Sequence, residues 1–368
     1  MDISVSREAL LKPLQAISGV VDKKQIKPIL SNVLLKVDRE LSLIGTDTEI
    51  EFIGIVPVET HSGPCEITVS ARKLFDICRA LPEAGMLRLS LENNNLIIRC
   101  DESHFVLNTL PAVDFPNLEA CTYTHTINMK QSALKSLLTR TAFAMGQQDV
   151  RFYLNGVFLE IANGEVKCVA SDGHRLALMS LSDESLTNTH VQVIIPRKSV
   201  LEIMRLLDEG SDKNVAIEIN DARMRIVAAD YVFTTKLINA QYPDYNRLIR
   251  RGNVIATADR DMMKQALVRA AILSSEKYRG VRFQLESNKL KITANNTDQE
   301  QAEEEIALDY TGAQLEMGFN VVYLLEAISA IPSKVVRCVF AGSSHDGVVI
   351  EPAEEGDMGL YFVMPMRL

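Results

Sequence analysis

The 368-residue chain predicts an α+β fold of three similar units in a row. Two observations carry this: an internal repeat at about 124 residues, and the alternation of strand and helix patterns inside each copy. The phrase Asn32-Val33-Leu34-Leu35-Lys36-Val37, followed by Leu41-Ser42-Leu43-Ile44-Gly45-Thr46-Asp47, returns at residues 156–161 with 166–172, and again at 280–285 with 290–296. A helical phrase at 75–81 recurs at 201–207 and 325–331. Each copy is domain-sized, so the repeat is one of domains rather than of short solenoid turns. Three domains similarly joined tend to form an arc.

A short strand opens each unit, at residues 2–5, 125–128 and 254–256. An amphipathic helix follows, starting near Ser6 in the first copy, with Leu10, Leu11, Leu14 and Ile17 on its apolar face. Leu134, Leu137, Leu138 and Ala142 repeat that face in the second copy. Next come the strand pair, further alternating strands, and a second helix opened at Ser70, at Pro196 with Arg197, or at Asn320. Strands at 87–91 and 96–100 close the first unit around the turn Asn93-Asn94-Asn95. Two helices and about eight strands per unit imply helices packed on one face of antiparallel sheets. Junctions near 121–126 and 251–253, each preceded by a Pro-containing stretch (114–118 and 241–245), divide the chain into domains 1–125, 126–252 and 253–368.

Net charge is −9, which by itself argues against nucleic acid, but the charge is unevenly spread. Helical periodicity spans 1–31, 69–83, 128–152, 196–208, 258–282 and 320–334; these segments hold 22 Lys and Arg against 12 Asp and Glu, leaving −19 on the rest. If the helices line the inside of the arc, a positive lining faces inward and suits a duplex. Charge alone does not separate that reading from ordinary solvated helix faces. The six Cys form no C-x-x-C pair, no signal peptide is legible and no apolar run reaches membrane-spanning length. A reducing cytoplasm is the expected setting.

Nucleotide-loop, zinc-protease and nucleophile-elbow motifs do not occur, and the His residues lack metal-ligand spacing; no cofactor is expected. Glu303-Glu304-Glu305 reads as a solvated strand edge rather than a metal site, and His345-Asp346 as a turn. The tempting catalytic string is Ser171-Asp172-Gly173-His174, but a triad is assembled by geometry and Asp-Gly after a strand is first a turn. With Arg175 and Leu176 it is peculiar to the second copy, which favours a binding site over a hydrolase. The loop Gln147–Leu154, with Arg151 and the aromatics Phe152 and Tyr153, suits phosphates and base faces or merely caps the core. The chain closes on apolar residues broken by Pro365, with Met364 and Met366 beside it, as one wall of a peptide pocket would.

Taken together, the three-fold repeat, residues 148–156, the Asp172-Gly173-His174-Arg175-Leu176 string, Pro196-Arg197-Lys198 and the closing Met364-Pro365-Met366-Arg367-Leu368 resemble the bacterial sliding clamps, the beta subunit of DNA polymerase III, over the whole chain. The resemblance implies a head-to-tail homodimeric ring of six domains around duplex DNA, without catalysis. It implies tethering of the replicative polymerase, the clamp loader and other factors through short linear motifs. The partner pocket would then comprise Leu154, Ser171, Gly173, His174, Arg175, Leu176, Pro243, Arg247, Leu248, Val363, Met364, Pro365 and Met366. Sequence-independent DNA contacts would fall on Lys24, Arg72, Gln148, Arg151, Phe152, Tyr153, Arg197 and Lys198. The family commonly has Thr at Ser171, Val at Leu248, Arg at Lys24 and Tyr at Phe152. At the subunit boundary, Phe105 and Leu107 on a candidate edge strand would meet Ile272 and Leu273 on a helix. The competing class is a non-ring nucleic-acid-binding scaffold.

Overall fold

The computed structural model describes residues 2–21, 27–61, 63–249, 251–342, 346–354 and 356–367. The first repeat runs β1 (Asp2–Ser6), α1 (Arg7–Val20), β2 (Asn32–Val37), β3 (Leu41–Thr46), β4 (Ile50–Val56), β5 (Thr60–His61) and β6 (Cys65–Ser70). It ends with α2 (Ala71–Ala80), β7 (Met86–Glu92), β8 (Asn95–Cys100) and β9 (Ser103–Leu110). The second has β10 (His125–Lys130), α3 (Gln131–Thr139), β11 (Gly156–Ala162), β12 (Glu165–Ser171) and β13 (Arg175–Ser182). It continues through β14 (Val191–Pro196), α4 (Arg197–Leu206), β15 (Asn214–Ile219), β16 (Arg223–Val227) and β17 (Tyr231–Lys236). The third has β18 (Val254–Asp259), α5 (Arg260–Ile272), β19 (Gly280–Glu286), β20 (Lys289–Asn295) and β21 (Gln301–Ala307). It closes with β22 (Leu315–Asn320), α6 (Val321–Ser329), β23 (Val335–Phe340), β24 (Val348–Pro352) and β25 (Leu360–Val363).

Local chemistry accounts for the boundaries. Ser6 accepts from the Ala9 N–H, Ser70 from Lys73, Asp259 from Met262, and Asn320 from Val322 and Tyr323, so strand ends double as helix caps. Asn93 and Asn94 take left-handed φ values of 48° and 61°, giving the tight turn between β7 and β8. The helices are shorter than their periodicity suggests. α3 stops at Thr139, and Thr141 turns its hydroxyl back to the Leu137 and Leu138 carbonyls; apolar spacing then continues through two 3-10 turns, Ala142–Ala144 and Phe152–Leu154. Over the six helices of the described residues, 12 Lys and Arg stand against 5 Asp and Glu, so the positive bias survives the trimming.

By contacts the chain divides into two compact units: Met1–Lys135 with Leu201–Leu237, and Ser136–Val200 with Ile238–Leu368. In the first, one antiparallel sheet has the order β10-β15-β16-β17-β4-β3-β2-β6-β9-β8-β7-β1-β5. It crosses from the second repeat to the first where β17 pairs β4, Phe233 opposite Phe52. α1 buries Leu10, Pro13, Leu14 and Ile17. At Gly45 an added Cβ would lie 2.6 Å from Ile17, and at Gly54 2.4 Å from Pro13, so both glycines are required for this close approach. Each fully buried aliphatic side chain contributes roughly 1.5–3 kcal/mol.

In the second unit an eight-stranded sheet, β14-β11-β12-β13-β25-β24-β23-β18, carries the same kind of crossing: β25 pairs β13 with Tyr361 opposite Ala177. A four-stranded sheet, β21-β20-β19-β22, completes it, and Phe283 meets Phe319 edge-on with centroids 5.4 Å apart. Among the described residues β21 pairs with β20 alone and is an edge. β9 in the first unit is paired to β8 along its length, but β6 takes only Thr109 and Leu110, leaving the Ser103–Asn108 side open.

Candidate functional site

The Ser171–Arg175 string is a turn between β12 and β13. The Ser171 hydroxyl donates to the Arg175 carbonyl (2.7 Å) and accepts from the Gly173 N–H (3.1 Å). The Asp172 carboxylate accepts the N–H groups of His174 and Arg175 and the Arg175 Nε (3.0 Å). Hydroxyl and carboxylate are therefore occupied by the turn itself, and no nucleophile relay is assembled. Arg175 is an anchor rather than an exposed contact: its guanidinium reaches Glu326 on α6 and the Phe143 carbonyl (2.6 Å) and lies 4.4 Å over the Tyr323 ring.

Strand β25 brings the C-terminal tail beside this turn. Val363 pairs Arg175, the Met364 N–H donates to the His174 carbonyl (2.9 Å), and the Met366 N–H to the Gly318 carbonyl (2.8 Å). The tail is thus tied down, not frayed. Beneath it Leu154, Leu176, Phe158, Tyr242, Tyr245 and Phe362 form one buried cluster, with Tyr153 and Ile249 packed against it. Tyr242 stacks on Phe158 at 4.8 Å, and the Tyr245 hydroxyl donates to Glu160 (2.8 Å). Burial pushes both phenols up, so they stay neutral. Pro243, Arg247 and Leu248 ride on the segment that these two tyrosines pin down; all three are exposed, and Arg247 pairs with Asp244 (3.0 Å).

Three distant stretches therefore converge: exposed His174, Leu248 and Met364, with half-buried Pro365 and Met366, stand over an apolar floor. Four of the expected residues are buried, Leu154 and Leu176 as part of that floor and two others beside it. Val363 is 1% exposed and Ser171 5%, so their side chains lie in the interior rather than on a surface. Tyr242, Tyr245 and Phe362 went unread as part of the site, although Tyr242-Pro243-Asp244-Tyr245 stands in a repeated position.

Of the residues expected at DNA, Lys24 lies outside the described residues. Arg151 is not a free cation: Asp149 holds it at 2.8 and 3.0 Å, and its guanidinium also donates to the Asp172 carbonyl (3.1 Å). That pairing lowers the Asp149 carboxyl to about 2. Gln148 is exposed with φ 53°, Phe152 is exposed, and Tyr153 is half-buried, so the loop's aromatics divide between surface and core. Arg72 is exposed near Asp76 (3.7 Å); Arg197 is half-buried and donates to the Met145 carbonyl, and Lys198 is half-buried.

At the open edges, Ile272 is 74% exposed and Val268, Tyr278 and Val106 are exposed too. Leu273 ends α5 and is half-buried; Phe105 is half-buried, whereas Leu107 points into the core at 8%. Glu303, Glu304 and Glu305 on β21 are matched by Lys291, Arg269 and Lys289. Among the described residues no acid, His or Cys group has the arrangement of a metal site.

The architecture is three repeated α+β units, with an exposed set of residues over an apolar floor in the second unit and the one catalytic-looking string spent on a turn. Three family models match in succession: DNA polymerase III beta subunit N-terminal domain over residues 1–119, central domain over 128–244 and C-terminal domain over 248–367. The beta sliding clamp of Pseudomonas aeruginosa is 46% identical, and that of Escherichia coli K12 43%, each over 100% of both chains. The crystal structure of the DNA polymerase III subunit beta from P. aeruginosa matches with a TM-score of 0.96 at 45% identity, covering 100% of both chains. Caulobacter crescentus pol III beta matches at 0.92 and 32%, again over 100% of both. The chain belongs to the DNA polymerase III beta subunit family, the sliding clamps. It is a processivity subunit and not an enzyme.

Proposed function

We propose that two copies close head to tail into a ring of six domains, bounded in each copy at 1–125, 126–252 and 253–368, and that the ring encloses duplex DNA without reading its sequence. The observation that carries this is the way the repeats are joined. At both joints within the chain, the last strand of one repeat pairs the fourth strand-position of the repeat before it: β17 with β4, and β25 with β13. The same two positions remain open at the chain's ends, on β9 and β21. Transferring the register sets Phe105 of one copy opposite Ala302 of the other, with exposed Ile272 alongside, and two such contacts complete a two-fold ring. The positive bias of the helices supports phosphate contact.

The patch formed by His174, Leu248 and Met364 over the floor that Leu176 helps to build then takes short apolar motifs from the polymerase, the clamp loader and other factors. Tethering raises their local concentration at the primer end. The work of such a ring belongs in the cytoplasm, and no described helix is long and apolar enough to cross a membrane. The test is retention: loaded protein should stay on nicked circular DNA of any sequence and run off once that DNA is linearised. Equal retention on both forms, or strong sequence preference, overturns the ring.

A further inference from the structure

Two methionines flank the strand that closes the second unit. Met358 precedes β25 and Met364 follows it, and they are 50% and 43% exposed. Of the two, Met364 stands at the docking patch, with exposed His174, over the floor of Leu154, Leu176 and Phe362. Its backbone is fixed. Val363 pairs with both Arg175 and Val348, and the Met364 N–H donates to the His174 carbonyl (2.9 Å). Two residues on, the Met366 N–H donates to the Gly318 carbonyl (2.8 Å), and Met366 itself is half-buried. The Met364 thioether is therefore offered to solvent from a fixed root, where an apolar segment would settle.

The sulfur chemistry of this unit singles out the same atom. Among its described residues the exposed methionines are Met262, in the first turn of α5, Met358 and Met364. Its two cysteines, Cys168 on β12 and Cys338 on β23, are buried, and burial pushes both thiols up to about 12. At neutral pH they offer an oxidant no thiolate. A thioether needs no deprotonation. Its sulfur lone pair attacks one oxygen of a peroxide, the O–O bond breaks, an S=O bond forms and the other oxygen leaves as water. Sulfur gives up two electrons and the peroxide takes them.

The product alters the patch and not the fold. A soft, apolar side chain becomes a polar one with a strong acceptor oxygen. In the free protein that oxygen lies in water, at a residue that no core depends on. Under a docked apolar segment it is desolvated, and the side chains of Leu154, Leu176 and Phe362 hold no donor for it.

We propose that Met364 is a redox-modification site, at which a peroxide converts the thioether to a sulfoxide and so weakens the patch's hold on apolar partner segments. The inference rests on the docking patch proposed above. The switch is reversible: two thiols of a reductant become a disulfide, and the sulfoxide oxygen leaves as water. The test treats the full-length protein with hydrogen peroxide and reads conversion at each methionine by peptide mass spectrometry. A synthetic peptide with Leu and Phe side chains, free of Met, Cys and Trp, is titrated before and after. Met262, Met358 and Met364 should convert ahead of the buried Met179 and Met317. Full conversion at Met364 should raise the peptide Kd by about tenfold or more and leave the melting temperature unchanged. Methionine sulfoxide reductases acting on both epimers should restore the starting Kd.

Whatever its own starting affinity, Met364→Leu should lose the change in Kd on peroxide treatment, whereas Met358→Leu should show that change in full. Equal Kd before and after complete conversion of Met364 overturns this inference and leaves the patch standing. A peroxide effect that persists in Met364→Leu, or that the reductases do not reverse, overturns it as well. A protein that binds the peptide in neither state removes the patch, and the inference with it.

Discussion

Asp149 shows how a single carboxylate organises the loop ahead of β11. It accepts from the backbone and the guanidinium of Arg151, and the Asn155 side chain bridges the Asp149 N–H and carbonyl. Its folded-state pKa of about 2 lies below the roughly 3.9 of an unfolded Asp. The stability it contributes is therefore present above about pH 4 and is lost as pH falls toward 2. Thermal melts of the wild type and Asp149→Asn should differ at neutral pH and converge over that interval; a constant gap would show that the carboxylate's charge does not matter. From sequence Arg151 reads as a phosphate contact, and its partner two residues earlier goes unweighed. A side chain's partner depends on local turn geometry, which residue spacing does not report.

Among the elements, strands were the most legible. Alternation marks them directly; Ser70 and Asn320 marked the starts of their helices because caps are local chemistry, and Pro196, which has no side-chain acceptor, marked the third as the last residue of β14. Helix ends were not legible: apolar spacing continues through the 3-10 turns after α3, and periodicity cannot tell these from another α turn. The convergence at the candidate site was readable as a set of stretches, but its tyrosine floor and the locked state of Arg175 were not. The tail is the element on which this site turns. Deleting residues 364–368 removes Met364, Pro365 and Met366 but leaves every pair of β25 in place, so folding and self-association should persist while binding of an apolar polymerase-derived peptide is lost. Unchanged peptide affinity, measured by calorimetry, would remove the patch from consideration.

For the whole molecule, the open edges set the expectation. Ile272 is the most exposed apolar side chain of α5, and a carboxylate there would lie desolvated against a second copy. Ile272→Glu should shift the light-scattering mass from two chains to one with little change in melting temperature, since the residue is solvated in the single chain. A dimer mass that survives Ile272→Glu would place the contact elsewhere.

The two compact units also interleave along the polypeptide, the chain passing between them at 135/136, 200/201 and 237/238. Among the described residues strand β10 pairs with β15 alone, and β4 gains its second partner in β17, both far downstream. On a ribosome, the opening 135 residues thus emerge without the strands that finish their sheet, and wait for another hundred or so to be made. Truncated products should then be poor folders and ready substrates for proteases, which links a completed partner strand in each unit to the survival of the nascent chain.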